Sequence, residues 1–168
     1  MYGSFVDMPL PRIHAMLQLH VNTVVDSTRL FLPSMIERKA GAIINVASLA
    51  GLIPIPFMAE YAATKAFIIS FSEALAEEVR GSGVSIQACC PGYTKTDFHQ
   101  TAGVKPRNPL KAQTSEEVVQ TSLRGLDKRK PHITIGWQGR FTEFISRFFP
   151  RTLLIRIAGN RLKSERKS

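Results

Sequence analysis

A tyrosine and a lysine stand four residues apart in the stretch YAATK, where Tyr61 is followed by Lys65. Residues at positions i and i+4 of a helix share one face, so these two side chains would lie side by side. A free tyrosine has a pKa of about 10, and a neighbouring ammonium group stabilises the phenolate and lowers that value. The pair therefore predicts a tyrosine that exchanges protons with an alcohol or a carbonyl oxygen near neutral pH.

Ser48 and a Pro-Gly segment follow two apolar runs of the sequence. Ser48 ends a short β-branched run, residues 42–48, and residues 91–96 follow a second run, residues 83–90. Uninterrupted apolar runs of this length are typical of parallel strands that are covered on both faces. Because such sheets carry ligands at the carboxyl ends of their strands, we expect the serine hydroxyl near the tyrosine. The three side chains together would suit reversible carbonyl reduction, with hydride from a nicotinamide.

Helices and strands alternate along the rest of the chain. The pattern predicts helices over residues 9–39 and 59–81, a third helix capped by Thr114 or Ser115, a third strand over residues 132–137, and a C-terminal helical segment broken at Pro150. Alternation of this kind indicates right-handed βαβ units and a parallel sheet. The predicted fold class is α/β, with three parallel strands flanked by helices over residues 1–139. A basic helical extension is predicted over residues 140–168.

Four short motifs surround the candidate site residues. They are IINVASLAG around Ser48, YAATKAF around Tyr61, PGYTKT at residues 91–96 and HVNTVV around Asn22. The serine precedes the tyrosine by thirteen residues, and the Pro-Gly segment begins thirty residues after it. In order and spacing the chain resembles the short-chain dehydrogenase/reductase family, over roughly residues 5–137. The resemblance implies a Rossmann-like fold and an NAD(P)-dependent oxidoreductase that interconverts a hydroxyl and a ketone, with a lipid-like or other apolar substrate.

The resemblance also implies a role for each catalytic residue. Tyr61 is the general acid/base, and Lys65 lowers the pKa of Tyr61 and binds the nicotinamide ribose. Ser48 steadies the substrate oxygen. Asn22 holds a water that links Lys65 to solvent, with a plain amide on a helix surface as the alternative.

The cofactor contacts implied by the resemblance lie in the Pro-Gly segment. The backbone around Pro91, Gly92 and Tyr93 packs beside the nicotinamide of NAD or NADP. Thr94 and Thr96 bind its amide or a phosphate, and Thr96 matches the motif threonine better. The alternative for both threonines is an ordinary loop hydroxyl.

An apolar substrate pocket is expected beside these residues. Residues 97–113 correspond to the substrate loop of the family, and Phe57, Met58, Phe98 and His99 would line the pocket. His99 has the alternative of being an ordinary loop histidine.

The Gly-rich turn that binds the dinucleotide phosphates in the family is not found in this sequence. Neither T-G-x-x-x-G-x-G nor G-x-G-x-x-G occurs. We expect the first four strands of the family sheet to be missing, either because the sequence is a truncated version of a normal enzyme or because it is a genuine short product. The first strand should then have an open apolar edge. The chain alone is expected neither to bind NAD(P)H measurably nor to remain a monomer.

Composition narrows the classes of partner. The 168 residues are 44% hydrophobic and 21% charged, which is ordinary for a soluble domain, and no apolar run is long enough for a membrane span. Cys89 and Cys90 are adjacent and rarely form a structural disulfide, which indicates a reducing, cytoplasmic compartment. We interpret them as small residues at a strand end rather than a reactive pair. There is no zinc-ligand spacing and no RNA-binding motif, so neither a metal nor nucleic acid is expected.

The net charge of +9 is concentrated at the C-terminus, where residues 140–168 hold eight Lys/Arg and two Glu. This tail mixes cations with aromatic residues, and such a composition can lie on a membrane surface. A helix packed on its own domain is the alternative. Trp137 is assigned a core or interface role. The helices predicted over 9–39 and 59–81 would form a homo-oligomer interface, although burial against the sheet also explains much of their apolar surface.

Two functions remain open at this point. The chain is either the catalytic part of an NAD(P)-dependent oxidoreductase, or a fragment without activity that dimerises or contacts membrane surfaces. The sequence alone does not identify the substrate, and it does not distinguish NAD from NADP.

Overall fold

The computed structural model describes residues 3–96 and 112–165 as a parallel sheet with helices on both faces. The elements in chain order are α1 (Leu10–Leu17), α2 (Thr23–Glu37), β1 (Gly41–Val46), α3 (Ala59–Glu78), β2 (Val84–Cys90), α4 (Ser115–Asp127), β3 (His132–Thr134), α5 (Gly136–Phe148) and α6 (Arg151–Glu165). Short 3₁₀ turns occur at Phe5–Asp7 and Leu49–Gly51. The α/β class and the parallel, Rossmann-like sheet predicted from the sequence are confirmed.

The sheet has the order β1-β2-β3. Val46 at the end of β1 pairs with Cys89, and Cys90 at the end of β2 pairs with Thr134. The carboxyl ends of the strands therefore meet at one edge, which is where the sequence placed the candidate site. Among the described residues β1 has no second neighbour, so it is an edge strand, as expected.

The core lies between the sheet and helices α2 and α3. Ile68 and Ile69 of α3 pack on Ala88 and Cys90 of β2, and a second cluster joins Val84 and Ile86 to the far end of the same helix. The opposite face of β2 is held by a polar contact, since Ser122 of α4 donates to Gln87 at 2.6 Å. Cys89 and Cys90 are both buried free thiols, which confirms their interpretation as packed strand residues.

The helix predicted over residues 9–39 is divided by a π-helical turn. Residues Gln18–Asn22 form this turn between α1 and α2, and Thr23 donates its hydroxyl to the Gln18 carbonyl at 2.9 Å. The extra residue of a π turn is compatible with an uninterrupted apolar pattern, so the sequence did not reveal it. Pro33 lies inside α2 without ending it.

The C-terminal boundaries also differ from the prediction. The strand predicted over residues 132–137 ends at Thr134, and α5 begins at Gly136. Trp137 therefore lies on a helix and is 70% exposed, so the core part of its core-or-interface assignment was wrong, and the interface part stays a prediction. The break at Pro150 is confirmed, because α5 ends at Phe148 and α6 begins at Arg151. No helix among the described residues is both long and apolar enough to cross a membrane.

Two glycines after α3 allow a matched test of the turn that enters β2. Gly81 and Gly83 have φ values of 84° and 86°, and a Cβ on Gly83 would overlap the Lys39 carbonyl while nothing lies within 4 Å at Gly81. Gly81→Ala should cost about 1 kcal/mol for the left-handed backbone alone. Gly83→Ala should cost about 3 kcal/mol or more, because the backbone of the α2–β1 turn must also move. Urea unfolding of both variants measures the difference, and equal losses would contradict the close approach.

Candidate active site

A cavity of about 550 Å³ opens at the carboxyl edge of the sheet. Its wall contains every predicted catalytic and cofactor-binding residue except Asn22: Ser48, Tyr61, Lys65, Pro91, Gly92, Tyr93, Thr94 and Thr96. The remaining wall is largely apolar, with Leu49, Met58, Val118 and Val119. The loop after β1, the first turn of α3 and the loop after β2 thus meet at this cavity. Their polar side chains form one group within a largely apolar wall.

Ser48 and Tyr61 are joined by a side-chain hydrogen bond, which favours the phenolate of Tyr61. Ser48 follows β1 in extended conformation, and its hydroxyl oxygen accepts from the Ala50 backbone N–H at 3.2 Å. The hydroxyl has one donor hydrogen and a second lone pair besides the one that Ala50 uses, so it can contact both Tyr61 and a substrate oxygen. Both oxygens can therefore contact one substrate oxygen.

Lys65 spans the gap between α3 and the end of β1. Its Nζ donates to the Val46 carbonyl at 2.9 Å and lies 5.8 Å from the centroid of the Tyr61 ring. The side chain is 9% exposed. Burial of the ammonium lowers the pKa of Lys65 from 10.5 to about 8, with Cys90 acting weakly in the opposite direction. The lysine is thus still predominantly a cation at neutral pH and lies close to losing its proton.

The pKa of Tyr61 shifts in the direction opposite to the sequence-based expectation. Burial of the phenol raises the pKa of Tyr61, and the hydrogen bond from Ser48 lowers it by a smaller amount. The expected lowering by Lys65 is not found, because the Nζ is held at the Val46 carbonyl rather than at the phenol oxygen. In this arrangement Tyr61 is a protonated phenol at neutral pH.

Asn22 lies away from the cavity wall. It ends the π-helical turn, its side chain is exposed, and its Nδ2 donates to Gln18 Oε1 at 2.6 Å. The amide thus has a partner on its own helix, and the water-holding role implied by the resemblance stays a prediction.

The Pro-Gly segment is held in place by Gln113, a residue that the sequence reasoning missed. Gln113 accepts from the Gly92 N–H through its side chain at 3.2 Å and from the Lys95 N–H through its carbonyl at 2.9 Å. Its own N–H donates to the Tyr93 carbonyl at 2.9 Å. These bonds form an isolated bridge between Thr94 and Gln113. No local sequence signal marks this glutamine, because its partners lie about twenty residues earlier.

The predicted substrate pocket is described in part. Met58 lines the cavity, whereas Phe57 is not in its wall. Phe98 and His99 lie outside the described residues, as does most of the predicted substrate loop. The apolar wall near the mouth comes instead from α4, through Val118 and Val119.

His20 is a second residue that the sequence reasoning missed. Thr64 donates its hydroxyl to the Tyr61 carbonyl at 2.8 Å, so it must accept from His20 Nδ1, 3.1 Å away. The His20 ring also meets the Tyr61 ring edge-on, with centroids 5.8 Å apart. Burial and the nearby Lys65 charge lower the pKa of His20 to about 4, so the ring is neutral at neutral pH.

The donor set fits the reactive end of a nicotinamide nucleotide. Lys65 and Tyr61 present an ammonium and a hydroxyl to the cavity, and residues 91–96 present backbone groups and two threonine hydroxyls along the same wall. Apolar neighbours suit a flat ring. The described residues contain no group of three His, Cys, Asp or Glu side chains that could hold a metal ion.

Comparison with known proteins identifies the family. The family model for short chain dehydrogenases matches residues 2–125, and the chain belongs to that family. The very-long-chain 3-oxoacyl-CoA reductase of Macaca fascicularis is 33% identical over 161 residues, which cover 92% of this chain and 48% of the relative. The chain spans about half the length of the curated relatives it matches.

Solved structures agree with this assignment. A short-chain dehydrogenase from Sphingobium yanoikuyae in complex with NADPH is 28% identical, with a TM-score of 0.74 over 80% of this chain and 52% of that one. A 7beta-hydroxysteroid dehydrogenase is 26% identical, with a TM-score of 0.82 over 94% of this chain and 62% of that one. The family is one of NAD(P)-dependent oxidoreductases.

The contact of His20 with Thr64 generates a prediction about pH. The pKa of His20 is 6.5 in the unfolded chain and about 4 in the folded chain. Between pH 4 and pH 6.5 the unfolded state therefore binds more protons than the folded state. Stability should therefore fall as the pH falls from about 6.5 towards 4. His20→Asn keeps a donor near the position of Nδ1, but its side chain does not titrate. Its free energy of unfolding in urea should therefore fall less than that of the wild type as the pH is lowered over this range. His14→Asn, at an exposed α1 position, is the control, and equal slopes for wild type and His20→Asn would refute the assignment.

Proposed function

We propose that this chain is the catalytic part of an NAD(P)-dependent oxidoreductase that interconverts a hydroxyl and a ketone. The observation that carries the proposal is the meeting of Ser48, Tyr61 and Lys65 in one cavity wall. The bound dinucleotide would supply or accept the hydride. Tyr61, Lys65 and residues 91–96 would hold its nicotinamide and ribose, whether NAD or NADP.

The proton chemistry follows from the states of Tyr61 and Ser48. In the direction of reduction, Tyr61 gives its phenolic proton to the carbonyl oxygen as that oxygen gains negative charge. Ser48 donates a hydrogen bond to the same oxygen and steadies it. The ammonium of Lys65, 5.8 Å from the ring centroid, would stabilise the resulting phenolate once it leaves the Val46 carbonyl. In the direction of oxidation the same groups act in reverse.

An apolar, lipid-like ketone is the proposed substrate. The cavity wall combines few polar groups with Leu49, Met58, Val118 and Val119, which suits a hydrocarbon chain beside one reactive oxygen. The similarity to a very-long-chain 3-oxoacyl-CoA reductase and to a 7beta-hydroxysteroid dehydrogenase supports the same class. We therefore favour a 3-oxoacyl thioester as the first substrate to test.

The alternative is an inactive fragment that serves as a dimerisation or membrane-surface module. It is supported by exposed apolar residues on α2, where Leu30 is 76% and Phe31 is 60% exposed. A second copy is the proposed partner for this surface. A cytoplasmic protein that also lies at the periphery of a membrane is consistent with either function.

Removal of the Tyr61 phenol tests the proposed chemistry. The chain is fused to the part of the Sphingobium yanoikuyae enzyme that it does not cover, so that NADPH binding does not depend on this chain alone. Tyr61→Phe should lower the kcat for a 3-oxoacyl thioester by about 100-fold to 10,000-fold, because the proton donor is lost. Lys65→Met should lower kcat as well. NADPH affinity should change little in Tyr61→Phe. The kcat is measured by NADPH absorbance, and the NADPH affinity is measured by calorimetry.

Lys128→Met, an exposed position after α4, is the matched control and should leave kcat unchanged. A fusion that binds NADPH but reduces no carbonyl would favour the inactive-module alternative. Full activity of the Tyr61→Phe fusion would exclude Tyr61 as the proton donor.

A further inference from the structure

Helix α5 presents a continuous aromatic stripe to solvent. Trp137, Phe141, Phe144 and Phe148 are 70%, 57%, 55% and 70% exposed. Their spacing of four, three and four residues places them within about 60° of one another around the helix, at 100° per residue. Large apolar side chains that are exposed together in this way mark an interaction surface.

The opposite face of α5 fixes the helix to the domain. A Cβ on Gly139 would lie 3.1 Å from Thr134 Cβ and 3.2 Å from Leu49 Cδ2, so the helix approaches the sheet closely at this point. Thr134 also donates its hydroxyl to Glu143 at 3.0 Å. The aromatic stripe is therefore held outward by contacts on the inner face.

The charges around the stripe favour an anionic partner. Arg140 and Arg147 lie at one side of it, and Arg147 pairs with Glu143 at 2.9 Å. Among the described side chains of residues 136–163 there are six cations and one carboxylate: Arg140, Arg147, Arg151, Arg156, Arg161, Lys163 and Glu143. A second copy would bring like charges together, whereas anionic phospholipid headgroups would complement them.

Helix α5 also packs beside the candidate active site. Leu49 lines the site cavity and is the side chain that Gly139 approaches from the inner face of α5. With the stripe of the outer face in the headgroup layer, the cavity would therefore lie about 10 Å, one helix diameter, from the lipid surface.

We propose that α5, through Trp137, Phe141, Phe144 and Phe148, binds the surface of an anionic phospholipid membrane. Exposed Leu153 and Ile157 of α6, with Arg151 and Arg156, extend the same combination of apolar and basic side chains. The proposal does not depend on the oxidoreductase activity, because it concerns the outer face of α5 and not the cavity.

Trp137 is the only tryptophan in the sequence and gives a direct reading of this surface. The full 168-residue chain is mixed with vesicles of phosphatidylcholine, or of phosphatidylcholine with 30% phosphatidylglycerol. With the anionic vesicles the emission of Trp137 should shift to shorter wavelength and be quenched by brominated lipid chains. Added salt should weaken binding, and neutral vesicles should bind at least about fivefold more weakly, since each basic residue contributes near an anionic surface.

Three variants separate the stripe from other features. Phe141→Ser combined with Phe144→Ser should reduce vesicle binding by at least about tenfold, because two apolar anchors are lost. Arg140→Gln should reduce it by about fivefold on anionic vesicles only. Phe31→Ser removes an equally exposed phenylalanine from α2 and should bind as the wild type does. Circular dichroism checks that each variant is folded.

Two results would overturn the proposal. One is a Trp137 emission that does not respond to anionic vesicles. The other is a shift to shorter wavelength that depends on protein concentration without vesicles, accompanied by a doubled mass in light scattering, which would assign the stripe to a contact between two copies.

Discussion

The hydrogen bond from Lys65 to the Val46 carbonyl links the helix that holds the tyrosine to the strand that leads to the serine. Without it, a buried ammonium would have to lie in the apolar space between α3 and the sheet with its charge unsatisfied. With it, α3 is tied to the end of β1, and Tyr61 and Ser48 lie in one cavity wall. Burial thus disfavours the charged forms of Lys65 and Tyr61. It lowers the pKa of the lysine and raises the pKa of the tyrosine.

The elements that form this arrangement could be predicted from the sequence because their signals are local. β-Branched runs identified β1 and β2, and the capping residue Thr114 begins α4 with its full capping box. The spacing of Ser48, Tyr61 and residues 91–96 located the cavity, since parallel strands bring their carboxyl ends together. The alternation of these strands and helices, rather than any one motif, made the parallel topology predictable.

The features that escaped prediction depend on contacts between distant residues. Gln113 and His20 carry no local signal of these contacts, although His20 begins the HVNTVV motif, and they acquire their roles only when the fold brings them to residues 92–95 and to Thr64. The direction of the Tyr61 pKa was wrong for the same reason. Helical spacing places a lysine near a tyrosine, but it does not show that the ammonium binds a strand carbonyl instead of the phenol.

The titration of Lys65 tests this account most directly. Lysine labelled with ¹³C at Cε, assigned through Lys65→Met, reports the protonation of this side chain by NMR as the pH is raised. The midpoint should be about 8, because the ammonium is buried against Val46. A midpoint at the ordinary lysine value of 10.5 would show that the ammonium is solvated, and would contradict the arrangement on which the candidate site depends.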